Sequence, residues 1–253
     1  MTSGVFIVTR FLRLALAAFV VSLPCVSPAL AAPWPADGRI VYEVLRGEDG
    51  MKLGEGVHQW HHEDGRYEMS VELETTGLAA VFVDFRYVQR SRGEVTADGL
   101  RPELFTVDQR GRERESASFD WEAGSVLIQR RKGRKESFGI ESGDLDVLSV
   151  WHLASLRDGR LPERLTLVTN RKAAETDLSV IGDETVELPV GRIDTVHVRL
   201  KARSGKLSID LWLSKAHGLA PLRVLMQDDK GQVLDQRAIE VRVDGAPVLA
   251  VRG

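Results

Sequence analysis

The sequence predicts a mostly β protein, in which a single antiparallel sheet forms an open β-barrel or β-roll with one central α-helix. Three observations favour this class. Segments of alternating apolar and polar residues recur at spacings of about ten residues along most of the chain. Turn-forming dipeptides, above all Asp-Gly, separate neighbouring segments. Strands do not alternate with helices as a parallel α/β sheet would require, and no fixed-period repeat is present.

The strands are predicted from this alternation. Residues 195–200 and 207–213 each place their branched apolar side chains on one face, which would cover one side of a core. Asp64-Gly65 stands between two such segments and is a strong hairpin signal. In chain order the predicted strands are Arg39–Leu45, Val57–His62, Tyr67–Leu73, Phe85–Ser91, Leu104–Gln109, Glu115–Trp121, Val126–Arg131, Glu136–Ile140, Leu165–Asn170, Thr176–Ile181, Thr195–Ala202, Leu207–Ser214, Leu222–Gln227 and Val233–Val243.

One helix is predicted between the two groups of strands, from Asp144 to Leu156. Its apolar residues fall at spacings of three and four, and Asp144 is the predicted N-cap. Gly159 is expected to end it. A weaker helical turn is predicted at Gly77–Val83.

The first 31 residues have the pattern of a secretory signal peptide. Two arginines precede the apolar run Leu14–Leu23, and the small-residue sequence Ala-Leu-Ala at 29–31 follows it. The run is shorter than the roughly 20 residues that a transmembrane helix needs. We therefore predict a signal peptide at residues 1–31 and a single periplasmic domain at residues 32–253, with no transmembrane segment after cleavage.

Cys25 is the only cysteine, and the predicted cleavage removes it. Pro24 precedes it, which argues against lipid attachment at Cys25. The exported domain would then hold neither a disulfide nor a thiolate metal site, so its stability must come from its core. The chain is 43% hydrophobic and has a formal net charge of −3, which argues against disorder and against nucleic acid as a partner.

Four segments carry a resemblance to a known family. They are GDLDVLSVWHL from Gly143, VIGDETVELPVGRIDTVHV from Val180, DLWLS from Asp210 and LAPLRV from Leu219. In this order they resemble a family of exported bacterial proteins catalogued as domain of unknown function 3108. The resemblance implies an envelope-associated, mostly β fold, and it supplies no catalytic residues. The residues that carry it best are Asp146, Leu148, Ser149, Thr195, His197, Trp212 and Leu213.

Three histidines near the first hairpin could suggest a metal site. In a strand, His58 and His62 share one face and His61 points to the other. Two histidines on one face can bind zinc or copper, but no third ligand is specified by the sequence. We therefore expect polar residues near a hairpin, and we expect no metal and no cofactor.

No catalytic motif is present. The chain lacks a G-x-S-x-G nucleophile elbow, and the pair Ser149 and His152 is interpreted as a helix-surface contact. His197 is predicted on the solvent face of a strand. Glu184 and Glu187 are predicted in a turn between strands. We therefore expect a protein that is not an enzyme and has no catalytic residues.

Two sets of residues are candidate binding groups. Tryptophans could line a cavity in the open barrel, or could serve only as core packing. A basic run within a hairpin could contact anionic envelope surfaces, or could be a solvated tip. The candidate ligand-binding residues are Trp60, Trp121, Trp151 and Trp212, and the candidate anionic-surface contacts are Arg130, Arg131, Lys132, Arg134 and Lys135.

These observations lead to one main hypothesis and two alternatives. The main hypothesis is a non-enzymatic periplasmic protein that binds a hydrophobic or envelope-derived ligand, with a lipid or envelope component as partner. The first alternative is an envelope scaffold that acts through the basic hairpin. The lesser alternative is a hydrolase with a site assembled from distant residues. Ligand identity, partner proteins and oligomeric state stay open at this stage.

Overall fold

The computed structural model describes residues 34–47, 50–76, 85–109, 111–228 and 230–251. The predicted signal peptide at 1–31 and the predicted turn at Gly77–Val83 lie outside the described residues. The first group of strands is β1 Asp37–Arg46, β2 Met51–Glu63, β3 Arg66–Thr75, β4 Arg86–Thr96, β5 Gly99–Gln109, β6 Glu113–Asp120, β7 Ser125–Gln129 and β8 Lys135–Gly139. The second group is β9 Leu145–Asp146, β10 Arg164–Val168, β11 Ala173–Leu188, β12 Gly191–Ala202, β13 Leu207–Ser214, β14 Pro221–Asp228, β15 Val233–Val243 and β16 Ala246–Ala250.

The strands form one sheet built from two meanders. In β1 to β8 and again in β10 to β15, each strand pairs with the next one along the chain. The meanders join through antiparallel pairing of β1 with β15. The end strands of this order are β8 and β9, so the sheet is not closed. This confirms the predicted class, a mostly β, antiparallel, open barrel-like sheet with a single short helix.

The sheet curls so that its two meanders share one hydrophobic core. The Tyr42 hydroxyl donates to the carbonyl of Pro221 at 2.7 Å, and the side chain of Asn170 donates to Glu115. Each bond links the first meander to the second. The largest fully buried side chains come from both meanders and from the segment between them: Trp151, Tyr42, Tyr67, Phe105, Ile40, Ile128, Leu145, Leu148, Leu167, Leu200, Ile209 and Leu213.

The helix is shorter than the sequence predicts. Leu145 and Asp146 form β9, which runs parallel to β10, and a 3₁₀ turn at Ser149–His152 precedes the helix α1 at Leu153–Leu156. The Asp146 carboxylate accepts the N–H groups of Leu148 and Ser149, both at 2.9 Å. The predicted cap at Asp144 is therefore wrong: Leu148 is the N-cap residue of the 3₁₀ turn, and Asp146 bonds to its N–H from the preceding strand.

Strand β11 is longer than the sequence predicts. The pattern ends at Ile181 because Gly182 interrupts it, yet the strand continues to Leu188. The pairing with β12 shifts register at Gly182, whose φ of +146° few other residues tolerate. The bulge absorbs the interruption, so Glu184 and Glu187 lie in a strand and the predicted turn there is wrong.

Candidate functional site

The four candidate tryptophans do not meet at one site. Trp60 and Trp151 are both buried and flank His58, with ring centroids 5.3 and 5.2 Å from it. Trp121 lies in the β6–β7 turn, and Trp212 lies on β13 among polar side chains. The structure thus brings only Trp60 and Trp151 together, in a histidine–tryptophan cluster that we define as Trp34, His58, Trp60, Trp151 and His152.

A hydrogen-bond chain runs through this cluster and fixes its histidine tautomers. The indole N–H of Trp34 can only donate, so the Nδ1 atom of His152, 3.0 Å away, accepts. His152 then carries its proton on Nε2 and donates to Nε2 of His58 at 2.8 Å. His58 in turn donates from Nδ1 to the carbonyl of Ser70 at 2.9 Å. Two neutral imidazoles satisfy every link of the chain.

Burial keeps both imidazoles neutral. Burial lowers the pKa of His58 from 6.5 to about 4, although its hydrogen bond to Ser70 acts in the other direction. Burial, with a smaller contribution from His58, also holds the pKa of His152 well below its usual range. A proton added to His152 would place an N–H against the indole N–H of Trp34. The hydrogen-bond chain through His58 and His152 is therefore a structural element that stays uncharged at neutral pH.

A second buried polar group ties the central segment to the first meander. Ser91 on β4 donates to the Asp146 carboxylate at 2.6 Å, and the Tyr67 hydroxyl on β3 lies 2.9 Å from the Ser91 oxygen. Burial raises the pKa of Asp146, and its hydrogen bonds to Ser91 and to the backbone of Ser149 and Leu148 oppose that rise. Asp146 and Ser149, two of the residues that carry the family resemblance, thus hold the fold together from its interior.

Two further residues that carry the family resemblance, His197 and Trp212, belong to a polar ladder on the second meander. His197 lies 2.6 Å from Asp210 and 3.3 Å from Glu184, and its ring stacks on Trp212 with centroids 4.4 Å apart. The guanidinium carbon of Arg223 lies 4.3 Å from the Trp212 ring. His197 is 7% exposed, so its predicted solvent position is wrong. Packing by Trp212 and two carboxylate partners covers the ring.

A concave region of about 830 Å³ lies along the first meander. Its polar lining is on the face opposite to the histidine–tryptophan cluster, and Trp60 of that cluster reaches the region beside Gly38. One row of its residues follows the pairing of β1 to β5, in the order Arg39, Gln59, Ser70, Arg90 and Thr106. We call this region the arginine groove. Its volume falls within the range of about 300–1,000 Å³ that is common for ligand pockets. Side-chain amide and hydroxyl groups lie between the arginines.

A neighbouring row completes the arginine groove. Here the pairing places Asp37, His61, Glu68, Arg92 and Leu104 side by side. The Nδ1 atom of His61 lies 2.8 Å from the Asp37 carboxylate, and this contact raises the pKa of His61. The groove therefore combines exposed cations with a carboxylate-oriented imidazole.

The arginines of the groove differ in whether a carboxylate pairs with them. Arg39 lies 3.7 Å from Glu240, and Arg242 at the rim is paired with the same carboxylate. Arg90 and Arg92 lie two residues apart on one face of β4, both exposed, and among the described residues neither has an ion-pair partner. Glu72 and Glu103 act on these two guanidinium groups only from beyond ion-pair distance. Two neighbouring guanidinium groups without a contacting carboxylate can bind an anion from solvent.

One feature of the sequence points to the arginine groove. Arg90-Ser91-Arg92 extends a predicted strand and repeats a cation at the period of one strand face. No local pattern shows that Arg39 would join the same row, because β2 and β3 separate their strands.

The basic run forms the hairpin turn between β7 and β8, as the sequence predicts. Its centre is a 3₁₀ turn at Arg131–Gly133, and Lys132 has a φ of +69°. Glu136 pairs with Arg130 at 2.8 Å and lies 3.8 Å from Arg134. Arg131, Lys132, Arg134 and Lys135 are all exposed, whereas Arg130 is partly covered.

Two further findings concern the described residues only. In the ranges given above, no three or more His, Cys, Asp or Glu side chains are arranged to hold a metal ion. Within the same ranges, no helix has the length and apolar character needed to cross a membrane.

Comparisons with other proteins give a family and a fold. A family model described as "Protein of unknown function (DUF3108)" matches residues 39–237. No protein with a curated description matches the chain. The structure is similar to a "Beta-barrel-like Protein of Domain of Unknown Function DUF1849 from Brucella abortus", with a TM-score of 0.51, 11% identity, and coverage of 84% of this chain and 99% of that one. A "putative lipoprotein from Parabacteroides distasonis" aligns over 83% of this chain and 97% of its own, at 10% identity and a TM-score of 0.28, and supports no inference.

Proposed function

The chain belongs to the DUF3108 family, and from that premise we propose that it is an exported, non-enzymatic protein that binds an anionic, hydroxyl-rich component of the cell envelope in the arginine groove. The observation that carries this proposal is the pair of exposed guanidinium groups of Arg90 and Arg92, which have no ion-pair partner among the described residues.

The chemistry of the groove supports an anionic ligand. A guanidinium group binds carboxylate or phosphate through two parallel hydrogen bonds, and this geometry favours planar or tetrahedral oxyanions. Gln59, Ser70 and Thr106 lie in the same row as Arg39 and Arg90, where they can bond to hydroxyl groups. Phosphorylated sugars and uronic acids combine both features.

The packing of the interior favours the groove over an internal apolar site. The three candidate tryptophans on strands or in the central segment, Trp60, Trp151 and Trp212, are between 2% and 6% exposed. Their rings pack on histidines and apolar side chains of the chain itself. We therefore direct the proposal to a polar ligand and away from a hydrophobic one.

Export makes an envelope component the expected source of the ligand. The signal-peptide pattern at residues 1–31 supports a location outside the cytoplasm. Among the described residues, Trp34 is the first and its indole bonds to His152 in the core. The fold thus begins within three residues of the predicted cleavage point after Ala31.

Isothermal titration with small probes tests this proposal. We expect glucose 6-phosphate and glucuronate to bind the wild-type chain, and unmodified glucose to bind at least tenfold more weakly, because each charge-assisted contact contributes roughly 1.5–3 kcal/mol. The double variant Arg90→Gln/Arg92→Gln should lose this preference. Mass spectrometry of small molecules that copurify with the protein would then identify the natural ligand class.

A matched control variant distinguishes binding in the arginine groove from a general effect of net charge on affinity. The variant Arg157→Gln/Arg160→Gln removes the same charge outside the groove and should bind like the wild type. Equal affinity for charged and neutral probes, or equal loss of affinity in both double variants, would contradict the proposal.

One observation favours a second candidate, a hydrolase acting in the same groove. His61 is oriented by Asp37 at 2.8 Å and faces a groove that also holds Ser70 and two guanidinium groups. If this pair acts as a base, p-nitrophenyl phosphate or p-nitrophenyl acetate should be turned over by the wild type and not by His61→Asn. Release of nitrophenol at the rate of buffer alone would exclude these two ester classes as substrates.

A further inference from the structure

Antiparallel topology assigns the turns of this sheet alternately to its two ends. Pairing of Gln129 with Lys135, of Val107 with Glu115 and of Val168 with Ala173 places the β5–β6, β7–β8 and β10–β11 turns at one end. The β12–β13 turn lies at that end too, because β11 begins opposite the last residue of β12. These four turns are rich in lysine and arginine. We call this end the basic end, and we define it by Arg112, Arg131, Lys132, Arg134, Arg171 and Lys206.

Four turns at the opposite end each carry a carboxylate. Asp64 lies in the β2–β3 turn, Asp98 in the β4–β5 turn, Glu122 in the β6–β7 turn and Asp244 in the β15–β16 turn. All four side chains are exposed. These four carboxylates lie at the end opposite to the four basic turns, and the cations Arg192 and Lys215 at that end are ion-paired with Glu187 and Asp183.

Curling of the sheet brings the basic turns close to one another. Asn170 in the β10–β11 turn donates to Glu115 on β6, which joins turns of the two meanders. Lys172 in the same turn donates to Ser204 in the β12–β13 turn at 3.3 Å. The β7–β8 turn is next to β6 in the sheet. The cations of four turns thus belong to one surface.

Most of these cations have no ion-pair partner in the part of the chain that the structure describes. Carboxylates at this end are engaged elsewhere, since Glu136 pairs with Arg130 and Glu175 pairs with Arg203. Among the described residues, no carboxylate lies within ion-pair distance of Arg112, Arg131, Lys132, Arg171 or Lys206, and all five are exposed. The exposed carboxylates of Glu113 and of Asp228 in the β14–β15 turn also lie at this end and moderate its positive charge.

We propose that the basic end is a docking surface for the headgroups of anionic phospholipids. In this orientation the basic turns face the membrane and the acidic turns point away from it. A set of turns at one end of a sheet matches a planar surface, and the division of charge gives the chain one preferred orientation. Phe85, 43% exposed just before β4, adds an aromatic group at the same end. This inference is independent of the arginine groove, which lies on a sheet face.

Sedimentation with vesicles tests the proposal. The protein should begin at Ala32, because the apolar run of residues 14–23 would itself enter a bilayer, and residues 31–253 form a compact unit. We expect the protein to sediment with vesicles of equal phosphatidylglycerol and phosphatidylcholine, and not with phosphatidylcholine alone. Raising the ionic strength from about 0.01 to 0.15 M should release most of it, since the Debye length falls from roughly 30 to 8 Å. Inorganic phosphate should release no more than chloride at equal ionic strength.

Two triple variants localise the contact. Arg131→Ser/Lys132→Ser/Arg171→Ser should weaken vesicle binding about a hundredfold, because each cation near the surface contributes about a factor of five. Arg157→Ser/Arg160→Ser/Arg192→Ser removes three cations outside the basic end and should leave binding within about twofold. Equal losses in the two variants, salt-insensitive sedimentation, or failure of the wild type to sediment with phosphatidylglycerol at low salt would each overturn the proposal. Unchanged circular dichroism of the variants serves as the folding control.

Discussion

His58 and His152 face each other through their Nε2 atoms at 2.8 Å, and only one proton can lie between these atoms. Trp34 supplies a donor at one end of the chain and the Ser70 carbonyl supplies an acceptor at the other. The direction of every hydrogen bond follows from these two ends. A second proton on either ring would therefore oppose an existing donor as well as burying a charge.

This arrangement predicts that acid destabilises the fold. Below about pH 6.5 a histidine of the unfolded chain takes up a proton, whereas folded His58 stays neutral down to about pH 4. The unfolded state binds more protons in this window, so the free energy of unfolding falls as the pH falls. The loss from His58 is about 3 kcal/mol, and His152 acts in the same direction. Asp146 acts in the opposite direction because its pKa is raised.

Urea unfolding at about pH 7 and about pH 4.5 measures this effect. His58→Gln is the matched variant, because its amide can accept from His152 and donate to Ser70 without titrating. We expect a smaller pH dependence in this variant. The same pH dependence as in the wild type would show that His58 does not titrate as the structure requires.

Gly38 is a single position at which no larger residue fits. Its partner in the β1–β2 ladder is Trp60, and a Cβ atom at Gly38 would lie 1.9 Å from the indole ring. We expect Gly38→Ala to lower the free energy of unfolding by about 1–3 kcal/mol, because Trp60 must leave the cluster around His58. Gly139→Ala is the control, since a Cβ atom there meets nothing within 4 Å. Equal stability of the two variants would contradict this packing.

At the scale of elements, one buried side chain organises the backbone at the start of the segment 145–156. Helix α1 covers only Leu153–Leu156, too short to be stable by its own hydrogen bonds. Asp146 accepts hydrogen bonds from the backbone N–H groups of Leu148 and Ser149 and from the hydroxyl of Ser91. The segment therefore depends on one buried carboxylate.

We expect Asp146→Ala to destabilise the protein by roughly 3 kcal/mol, because it leaves buried donors without an acceptor. Glu122→Ala, at an exposed turn, should cost less than about 1 kcal/mol. Chemical denaturation of both variants measures the difference. If Asp146→Ala unfolds at the wild-type midpoint, the carboxylate does not organise this segment.

At the scale of the whole molecule, the order of strands predicts where the sheet opens. Strands β1 and β15 lie at the centre of the order, where the two meanders join, and β8 and β9 lie at its ends. Breaking the pairing of β1 with β15 requires both meanders to separate, whereas an end strand can detach alone. Amide hydrogen exchange should therefore be slowest at 40–44 and 236–241 and much faster at 135–139. Equal protection of these segments would mean that the sheet opens as one unit.

The fold class could be predicted because the alternation of apolar and polar residues is local. Most strands begin and end within a few residues of the predicted positions, and the errors have specific causes. The predicted helix loses its first turn to β9 because Leu145 finds a partner in Leu167, and β11 passes Gly182 through a bulge. Both depend on strands that are distant in sequence, which no local pattern records.

The candidate sites were predicted less completely for the same reason. The basic hairpin was visible as a run, but its neighbours Arg171 and Lys206 belong to turns that only curling of the sheet brings to the same end. The groups of the arginine groove are single polar residues on four or more strands, and each alone is ordinary. His58 is one of three neighbouring histidines in the sequence, yet its hydrogen-bond partner His152 is 94 residues away.

The sequence by itself determined the class of fold and most of the hairpin turns, since side-chain period and turn chemistry act within a few residues. Only the tertiary structure decided which side chains meet: the neutral pair of His58 and His152, the row of Arg39 and Arg90, and the division of charged turns between two ends. These depend on strand order and curling, which are set when two meanders bury one common core.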